Sequence, residues 1–325
     1  DLALDMSIVY LNIKILESIM LFLWIGYLKQ LIRFLMHLVF NLFLSIVISL
    51  PVYGLGTKFL FLPSSVEQLA IGNHSTLPGM FPVNPALFSA EKNQSNLMLN
   101  RGSWLGDISL MHIGFNQSFN NKIVHFGVKY SGLTDFEYRE NTPQDDPLSY
   151  FSSYGISFNT GFSFSNEKYK FGFMLSHIRL GLYTEETSGF SISLGSNYNL
   201  NNGFKIGLSL ENLGRMDNLI TEKVKLPQRL ISTISKELQL NSYQNTVFGS
   251  IDWDKKPTDI QYIIGNQLKW TFLDFYTSFL YSDSFYESSI GFSIKAKTLK
   301  IGYGIRFGTQ DLGNPHMISL NILLP

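Results

Sequence analysis

Histidine, serine and cysteine carry the chemistry that a sequence reveals first, and here their spacing matches no catalytic or metal-binding motif. The six histidines are His37, His74, His112, His125, His177 and His316. None has the His-Glu-x-x-His spacing of a zinc site, and no Gly-x-Ser-x-Gly elbow presents a nucleophilic serine. The chain has no cysteine, which excludes disulfides and cysteine-ligated zinc. We expect structural histidines, no cofactor, no metal and no enzymatic activity; a membrane-barrel hydrolase is the weaker alternative.

Carboxylates are concentrated in one segment, 134–149, where a single basic residue, Arg139, accompanies them. They are Asp135, Glu137, Glu140, Asp145 and Asp146. Such a cluster could bind calcium or a basic partner. It lacks the Asp-x-Asp-x-Asp-Gly order of a calcium loop, so a solvated, extracellular loop is favoured.

Composition indicates a membrane barrel rather than a soluble domain. Charged residues make up only 15% of the chain and aromatic residues 14%, with 26 glycines. Soluble domains usually carry about 25% charged residues, whereas a barrel presents apolar side chains to lipid on its outer face. The formal net charge is zero, so no electrostatic attraction to nucleic acid is implied.

The N-terminal segment, residues 1–50, is almost continuously apolar and differs from the rest of the chain. A basic stretch, Lys29–Arg33, precedes an apolar run, Phe34–Leu50. This order is typical of a secretory signal peptide, which we predict over residues 28–54. A retained N-terminal membrane anchor or apolar helix is the alternative, because the run approaches the length of a spanning helix.

Residues 1–27 have two interpretations. In the first interpretation, this stretch is an over-extended reading frame upstream of the true start, because the chain begins with Asp1 rather than Met. In the second it belongs to a pair of apolar helices, Ile8–Leu23 and Phe34–Leu50. Both interpretations stay open at the level of sequence.

From about residue 95 onward, apolar side chains alternate with small or polar ones. The clearest segment is 153–164, in which even positions from Tyr154 to Phe164 are mostly aromatic or aliphatic, and odd positions hold Ser, Gly or Asn. Period two is the spacing of a strand with two different faces. The same pattern recurs near 190–195, 204–211, 290–295 and 301–307.

Turn residues divide this region into strands that are long for a soluble sheet. We predict fourteen strands, near 94–103, 107–117, 121–132, 149–164, 167–181, 186–199, 203–212, 228–239, 244–254, 258–270, 272–282, 285–296, 298–308 and 314–323. Many exceed the roughly 5–6 residues usual in soluble proteins and reach the roughly 9–11 that a membrane strand needs. The even count suits a single-chain bacterial barrel.

The connections between these strands sort by length. The two longest links, about 133–148 and 213–227, follow odd-numbered strands. Tight links follow even-numbered strands, at 165–167, 200–202, 241–243 and 297. Outer-membrane barrels have short periplasmic turns and longer extracellular loops. We therefore expect both termini in the periplasm and residues 134–148 outside the cell.

Between the predicted signal and the first strand, residues 55–93 show no clear period and contain several prolines. They are either an irregular periplasmic lead or a segment folded into the lumen as a plug. A barrel of this strand number has an interior large enough to need filling or to conduct water.

Charged residues also fall on the small, polar face of the strands, which should line the lumen. They are Lys129, Lys205, Glu211, Lys295, Lys300 and Arg306. These side chains could line a polar path, or they could pair with one another and fill the lumen. Both possibilities remain.

Five short motifs, in the same order, resemble the PorV/PorQ family of FadL-like outer-membrane barrels. They are Gln68–Gly72 followed by Val83–Leu87, Ser103–Ile108, Phe126–Tyr130 leading to Asp135-Phe136, Asn212–Gly214 followed by Leu226-Pro227, and Leu312–Leu320. Asn84, Pro85 and Ala86 form the candidate plug motif. The resemblance covers about residues 66–323. It departs from the family where Asn73 replaces one glycine of a pair.

The resemblance implies a FadL-like transmembrane barrel, spanning 94–325, that is associated with the type IX secretion machinery. It implies a docking or carrier function for exported proteins, with secretion components or exported cargo as partners besides outer-membrane lipid. More distant FadL-like relatives imply a channel for hydrophobic solutes. A passive outer-membrane scaffold is a third possibility.

Overall fold

The alternating segments form long antiparallel strands that close on themselves as a barrel. The computed structural model describes residues 56–90, 93–138, 146–219, 222–240, 242–255, 258–308 and 313–324. The strands are β1 (Ser95–Trp104), β2 (Ile108–Phe119), β3 (Lys122–Tyr138), β4 (Ser149–Ser165), β5 (Tyr169–Leu182), β6 (Glu185–Asn199), β7 (Phe204–Met216), β8 (Asn218–Leu219), β9 (Glu222–Lys223), β10 (Arg229–Leu240), β11 (Tyr243–Lys255), β12 (Thr258–Trp270), β13 (Leu273–Tyr281), β14 (Tyr286–Ala296), β15 (Leu299–Gly308) and β16 (His316–Leu324).

Fourteen of these strands form the wall, and each is hydrogen-bonded to the wall strands that come before and after it in the chain. β1 pairs with β16 to close the barrel, and β7 pairs with β10 across the small β8–β9 hairpin. The predicted antiparallel barrel and its strand number are confirmed. Among the described residues before the wall, the chain forms a short α-helix, α1 (Val66–Ile71), and two 3-10 turns, Thr57–Phe61 and Pro85–Leu87. No helix among the described residues is long and apolar enough to cross a membrane.

The two faces of the wall follow the alternation in the sequence. On β6, Phe190, Ile192 and Leu194 are exposed on the outside, whereas Ser191 and Ser193 are buried inside. Across the β5–β6 pair these outer side chains lie beside further apolar residues of β5, so the outside is a continuous apolar band. Apolar surface on this scale requires contact with lipid rather than water.

The two ends of the barrel differ. At one end, here named the turn end, tight links join the strands, and Asn120, Asn202, Thr271 and Lys297 adopt positive φ angles within them. At the other, the loop end, the two long links join β3 to β4 and β7 to β10. The predicted sorting of short and long connections therefore holds in the fold.

The wall is taller at β3 and β4 than at β13 and β16. These two strands have 17 residues each, whereas β13 and β16 have 9 each. β3 continues past the predicted loop start at 133, through a register shift between Leu133 and Phe136, and pairs Tyr138 with Ser149. Beyond the bilayer no lipid-facing pattern is required, so the alternation that marks a strand is lost there.

β7 also extends past its predicted end at 212, to Met216. A bulge interrupts its register with β6, because Glu211 and Asn212 together stand opposite the single residue Ser193. Asn212 has a φ of 58° and donates its backbone N–H to the Ser193 hydroxyl (3.2 Å). The extra residue shifts the alternation, which explains why the pattern ends early.

Residues 57–90, here named the luminal segment, cross the interior of the barrel. Near the loop end, the Thr57 hydroxyl donates to the carbonyl of Lys225 (2.9 Å). At the turn end, the Asn93 side chain accepts from the backbone N–H of Asn120 (3.2 Å). The segment therefore runs from the loop end to the turn end before β1 begins. The predicted signal peptide and residues 1–27 lie outside the described residues.

Candidate functional site in the lumen

The luminal segment begins with a hydrophobic anchor at the loop end. Phe59 and Val66 are fully buried and pack with Leu110, Ile178 and Met317 of the wall. A Cβ at Gly155 would lie only 2.3 Å from the Phe59 ring, so the absence of a side chain there admits the ring. Burying an aromatic or aliphatic side chain of this kind contributes about 1.5–3 kcal/mol.

Helix α1 is held by its own cap as well as by the wall. The Ser65 hydroxyl accepts from the backbone N–H of Gln68 (3.1 Å), and the Gln68 side chain accepts from that of Ser64 (2.7 Å). The first bond satisfies a backbone donor that a helix start leaves free, and the second fixes the residue before the N-cap. Gly72 then ends the helix with a φ of 70°. Contacts with the wall must supply the remaining stability of the helix, because a helix of this length is marginal alone.

Lys129, one of the predicted luminal residues, holds the luminal segment from the wall of β3. Its side chain is buried, and its ammonium donates to the carbonyls of Leu60 (2.9 Å) and Leu62. A buried charge needs such partners, because an unpaired ammonium loses its hydration without compensation. Nearby, the Asn100 amide of β1 donates to the carbonyl of Ser64 (2.5 Å).

Arg229 forms a second buried attachment. Its guanidinium binds the Glu211 carboxylate (2.6 Å), approaches that of Asp252 (3.5 Å) and lies 4.1 Å from the centre of the Phe61 ring. Asp252 also accepts from the Asn73 amide of the luminal segment (2.8 Å). Wall and segment thus share one charged network, in which every charge has an opposite partner.

Two further cations contact helix α1. The Arg306 guanidinium donates to the carbonyl of Leu69 (2.8 Å) and binds the Glu287 carboxylate (3.1 Å). The Lys300 ammonium lies between the carboxylates of Glu67 (3.3 Å) and Asp274 (2.7 Å). Both cations sit at inward positions of β15. They pair with acids and carbonyls instead of lining an open polar path.

The candidate plug motif forms a tight turn against β5 and β6. The Asn84 side chain accepts from the backbone N–H of Ala86 (3.0 Å) and donates to the carbonyls of Ser75 and Ser196 (2.9 and 2.8 Å). A Cβ at Gly195 would lie 1.9 Å from the Asn84 side-chain oxygen. Glycine in the wall is what allows this turn to approach so closely.

The remaining predicted luminal residues lie nearer the turn end. Lys205 forms an ion pair with Glu237, and both side chains are about a quarter exposed. Lys295 is exposed at an inward position close to the end of β14. Sequence reasoning missed Arg229, Asp252 and Glu67, although the first two occupy the small, polar face of their strands.

A small polar cavity of about 30 Å³ remains between the luminal segment and β4–β7. Its charged and amide lining includes Lys129, Glu211, Arg229, Asn159 and Asn212. A cavity of this size holds one or two water molecules. The luminal segment therefore leaves little open volume at this place, between itself and β4–β7.

The acidic loop is only partly described. Glu137 and Asp146 are exposed at the loop end, and Asp135 lies within the β3 backbone. Glu140 and Asp145 lie outside the described residues. In the part of the chain that the structure describes, no group of three His, Asp or Glu side chains could hold a metal ion.

Three buried histidines pack against aromatic rings instead. The His125 ring stacks on Phe88 at 4.5 Å, and the His74 ring lies 5.3 Å from Phe248. His112 is buried 6.0 Å from the Phe81 ring. Burial lowers the pKa of His74, in the luminal segment, from 6.5 to about 3. This imidazole is therefore neutral at physiological pH.

Comparison with known families identifies one match, over residues 103–322, to a family described as type IX secretion system membrane protein PorP/SprF. The predicted association with type IX secretion is confirmed at this level, and the finer assignment to PorV/PorQ is not confirmed. A comparison with curated proteins finds no match.

Solved structures show the fold alone. The chain is similar to the deltaS2 mutant of the TodX monoaromatic hydrocarbon channel, with a TM-score of 0.53 and 11% identity over 80% of this chain and 97% of that one. It is also similar to a Pseudomonas aeruginosa FadL homologue, with a TM-score of 0.52 and 10% identity over 81% of this chain and 98% of that one. Both likenesses agree with the predicted FadL-like barrel.

Proposed function

Because this chain belongs to the PorP/SprF family of type IX secretion system membrane proteins, we propose that it is a docking or carrier barrel for exported proteins at the outer membrane. In this function the barrel binds a protein partner on its surface and conducts nothing through its lumen. The proposal includes no catalytic step.

The filled lumen is the observation that supports this function best. Lys129, Arg229 and Arg306 are buried and tie the luminal segment to three parts of the wall. A conducting pore needs a continuous aqueous path, and these ties hold the luminal segment in the interior through which such a path would run. An occupied barrel is suited to act through its outer surfaces.

The loop end offers a surface for such a partner. The tall wall of β3–β5 carries exposed apolar residues there, namely Tyr138, Leu148, Tyr150, Leu182 and Tyr183. Tyr138 and Tyr183 stack at 6.1 Å. Exposed carboxylates lie beside these residues, because Glu137 pairs with Tyr150 and Glu185 pairs with Leu182 across neighbouring strands. Aromatic centres with polar rims are typical of protein interfaces.

Orientation belongs to the same proposal. Short turns in outer-membrane barrels face the periplasm, and longer loops face outward. We therefore assign the turn end, where β1 begins and β16 ends, to the periplasm. The loop-end surface then faces the cell exterior, where an exported protein would be retained or released.

Site-specific photocrosslinking in cells tests the proposal. A benzophenone amino acid replaces Tyr150 or Tyr183, which are 62% and 59% exposed at the loop end. The matched control replaces Trp270, which is 53% exposed on the outer face at the turn end. We expect loop-end crosslinks to a secretion component or an exported protein, identified by mass spectrometry, and only lipid adducts at Trp270.

Two outcomes separate the parts of the proposal. Protein crosslinks only at Trp270 would move the docking surface to the turn end and reject the loop-end surface. An absence of secretion components and exported proteins at all three positions would reject the docking function itself.

A channel for hydrophobic solutes is the second candidate, and only the FadL-like fold favours it. The small polar cavity beside Lys129 and Arg229 is too small for such a solute. Saturable binding of a fatty acid by the purified barrel would favour this candidate over the docking function.

A further inference from the structure

The outer wall is polar on β5–β7 at its loop-end border. On β11–β15, the outward side chains at comparable distances from the turn end are aromatic, as at Trp253, Tyr262, Tyr281, Tyr286 and Phe307. On β5–β7 this level carries His177, Arg179, Ser188 and Arg215. An aromatic girdle is the usual border of a membrane barrel, so the polar group is a local departure from it.

A pocket of about 360 Å³ opens on the outside of the barrel at this place. It is lined by His177, Arg179, Glu186, Thr187, Ser188, Asp217 and Asn218. Asp217 and Asn218 come from the link that follows β7, so the pocket has one wall of sheet and one wall of loop.

Backbone contacts fix the loop wall. The backbone N–H of Asp217 donates to the carbonyl of Ser188 (2.8 Å). The Thr187 hydroxyl donates to the carbonyl of Asp217 (2.9 Å). Both contacts join β6 to the start of the β8–β9 hairpin. The backbone around the pocket is therefore held in place at this edge of the barrel.

The charges of the pocket are of both signs. Glu186 accepts from the Tyr154 hydroxyl (2.7 Å) and from Arg179 Nε (3.0 Å). The side chains of Arg179 and Glu186 are 52% and 44% exposed, which leaves them open to a ligand. The Asp217 carboxylate, which accepts from the Ser188 hydroxyl (3.4 Å), supplies a negative group on the opposite wall.

An apolar strip continues from the pocket toward the turn end. It consists of the exposed side chains Phe190, Ile192 and Leu194 on β6, with Leu175 and Phe173 beside them on β5. A ligand that fits both regions needs a charged head and long apolar chains. A membrane phospholipid has this form.

We propose that this pocket binds the headgroup of a phospholipid that carries both a phosphate and a primary ammonium, as in phosphatidylethanolamine. Arg179 and His177 face the phosphate, and Asp217 accepts hydrogen bonds from the ammonium. The acyl chains lie along Phe190, Ile192 and Leu194. A purely anionic headgroup fits less well, because its charge meets the carboxylates of Asp217 and Glu186. This site is independent of the proposed secretion function.

Native mass spectrometry of the intact barrel tests the site. The protein is reconstituted in nanodiscs that contain equal amounts of phosphatidylethanolamine, phosphatidylglycerol and phosphatidylcholine, and is then released with its retained lipids. We expect phosphatidylethanolamine to be enriched about tenfold over the other two, as charge-assisted hydrogen bonds would give.

Two variants and one matched control identify the residues. Asp217→Asn should abolish the preference over phosphatidylglycerol, and Arg179→Gln should reduce retention of phosphatidylethanolamine. Asp283→Asn, an exposed change elsewhere at the loop end, should leave retention unchanged. Heat-dependent gel migration establishes that each variant forms the barrel. Unchanged lipid preference in both folded variants would overturn the site.

The source of the headgroup is tested in the same samples. Glycerophosphoethanolamine has the same head without acyl chains, so it should not displace the lipid at equal concentration. Displacement at equal concentration would overturn the assignment to a membrane lipid. Retention of a bound protein in place of lipid would overturn it as well.

Discussion

The guanidinium of Arg229 on β10 and the carboxylate of Glu211 on β7 form a buried ion pair, 2.6 Å apart, at the last position where these strands are paired. Beyond this pair toward the loop end, β7 is paired with β6 only, and the link to β10 begins. The ion pair therefore lies at the loop-end limit of the paired region of β7 and β10. Its contact with Phe61 also joins this region to the luminal segment.

Loss of the Arg229 charge should destabilise the barrel strongly. Arg229→Met leaves Glu211 and Asp252 buried without their cation, which typically costs about 3–5 kcal/mol. The matched control, Lys205→Met, breaks the pair with Glu237, whose side chains are about a quarter exposed, and should cost under about 1 kcal/mol. Urea-dependent unfolding in lipid vesicles measures both. Equal midpoints for the two variants would contradict a structural role of the buried network.

Loss of the Lys129 charge should loosen the luminal segment without unfolding the wall. Lys129→Met removes charge-assisted hydrogen bonds to the carbonyls of Leu60 and Leu62, each worth about 1.5–3 kcal/mol. We expect transient conductance steps in planar bilayers, where the unchanged protein should be silent. Lys295→Met, an exposed inward position at the turn end, is the control. A variant as silent as the parent would show that Lys129 does not hold the segment.

Two glycines offer a sharp test of the Asn84 turn. Gly195→Ala would place a Cβ 1.9 Å from the Asn84 side-chain oxygen, whereas Gly249→Ala meets no atom within 4 Å. Overpacking of this kind costs about 1–3 kcal/mol. Limited proteolysis should cut the luminal segment faster in Gly195→Ala, and Gly249→Ala should match the parent. Similar protection in both variants would reject the close approach of the turn.

The sequence predicted which face of the wall each side chain occupies, but it did not predict which residues that side chain contacts. Alternation assigned Lys129, Glu211 and Arg306 to the inner face, because period two is a local property. That Arg229 meets Glu211, Asp252 and Phe61 depends on register, and on a segment far away in the chain. The direction of the luminal segment depends likewise on contacts such as Thr57 with Lys225, which no local pattern carries.

Irregularities in the strands were the other limit. The register shift after Leu133 and the bulge at Asn212 each insert residues that break the alternation. Beyond them, β3 and β7 continue while the pattern that would reveal them has ended. The outer pocket was missed for the same reason, because Asp217 joins it only after β7 has passed its bulge.

Acid should weaken the docking of the luminal segment through His74. Its pKa is lowered to about 3 in the buried site, so the released segment, with a pKa near 6.5, binds the proton first. The stability that neutral His74 gives to the docked segment is therefore complete above pH 6.5 and is lost as the pH falls toward 3. At pH 5 the loss is about 2 kcal/mol. Hydrogen exchange at Leu77 should accelerate on acidification, and His74→Phe should reduce this pH dependence. An identical pH profile in the variant would contradict the assignment.

The depth of the apolar band can be measured with a single charge placed on β6. Leu194 lies in the middle of the band, beside Phe173 and Leu210, whereas Ser188 lies at its polar border. Arginine on a lipid-facing wall costs about 2–4 kcal/mol at the midplane and about 0–1 kcal/mol near the interface. Ser193 is unsuited as the control, because it is buried and accepts from Asn212.

Leu194→Arg should therefore reduce folding into lipid vesicles far more than Ser188→Arg does. The effect should diminish in detergent micelles, which adapt to a charged side chain more readily than a bilayer. Heat-dependent gel migration reports the folded fraction in each case. If Ser188→Arg were as damaging as Leu194→Arg, Ser188 would lie within the hydrocarbon. The polar pocket around Arg179 and Asp217 would then be below the headgroups, where a zwitterionic lipid could not reach it.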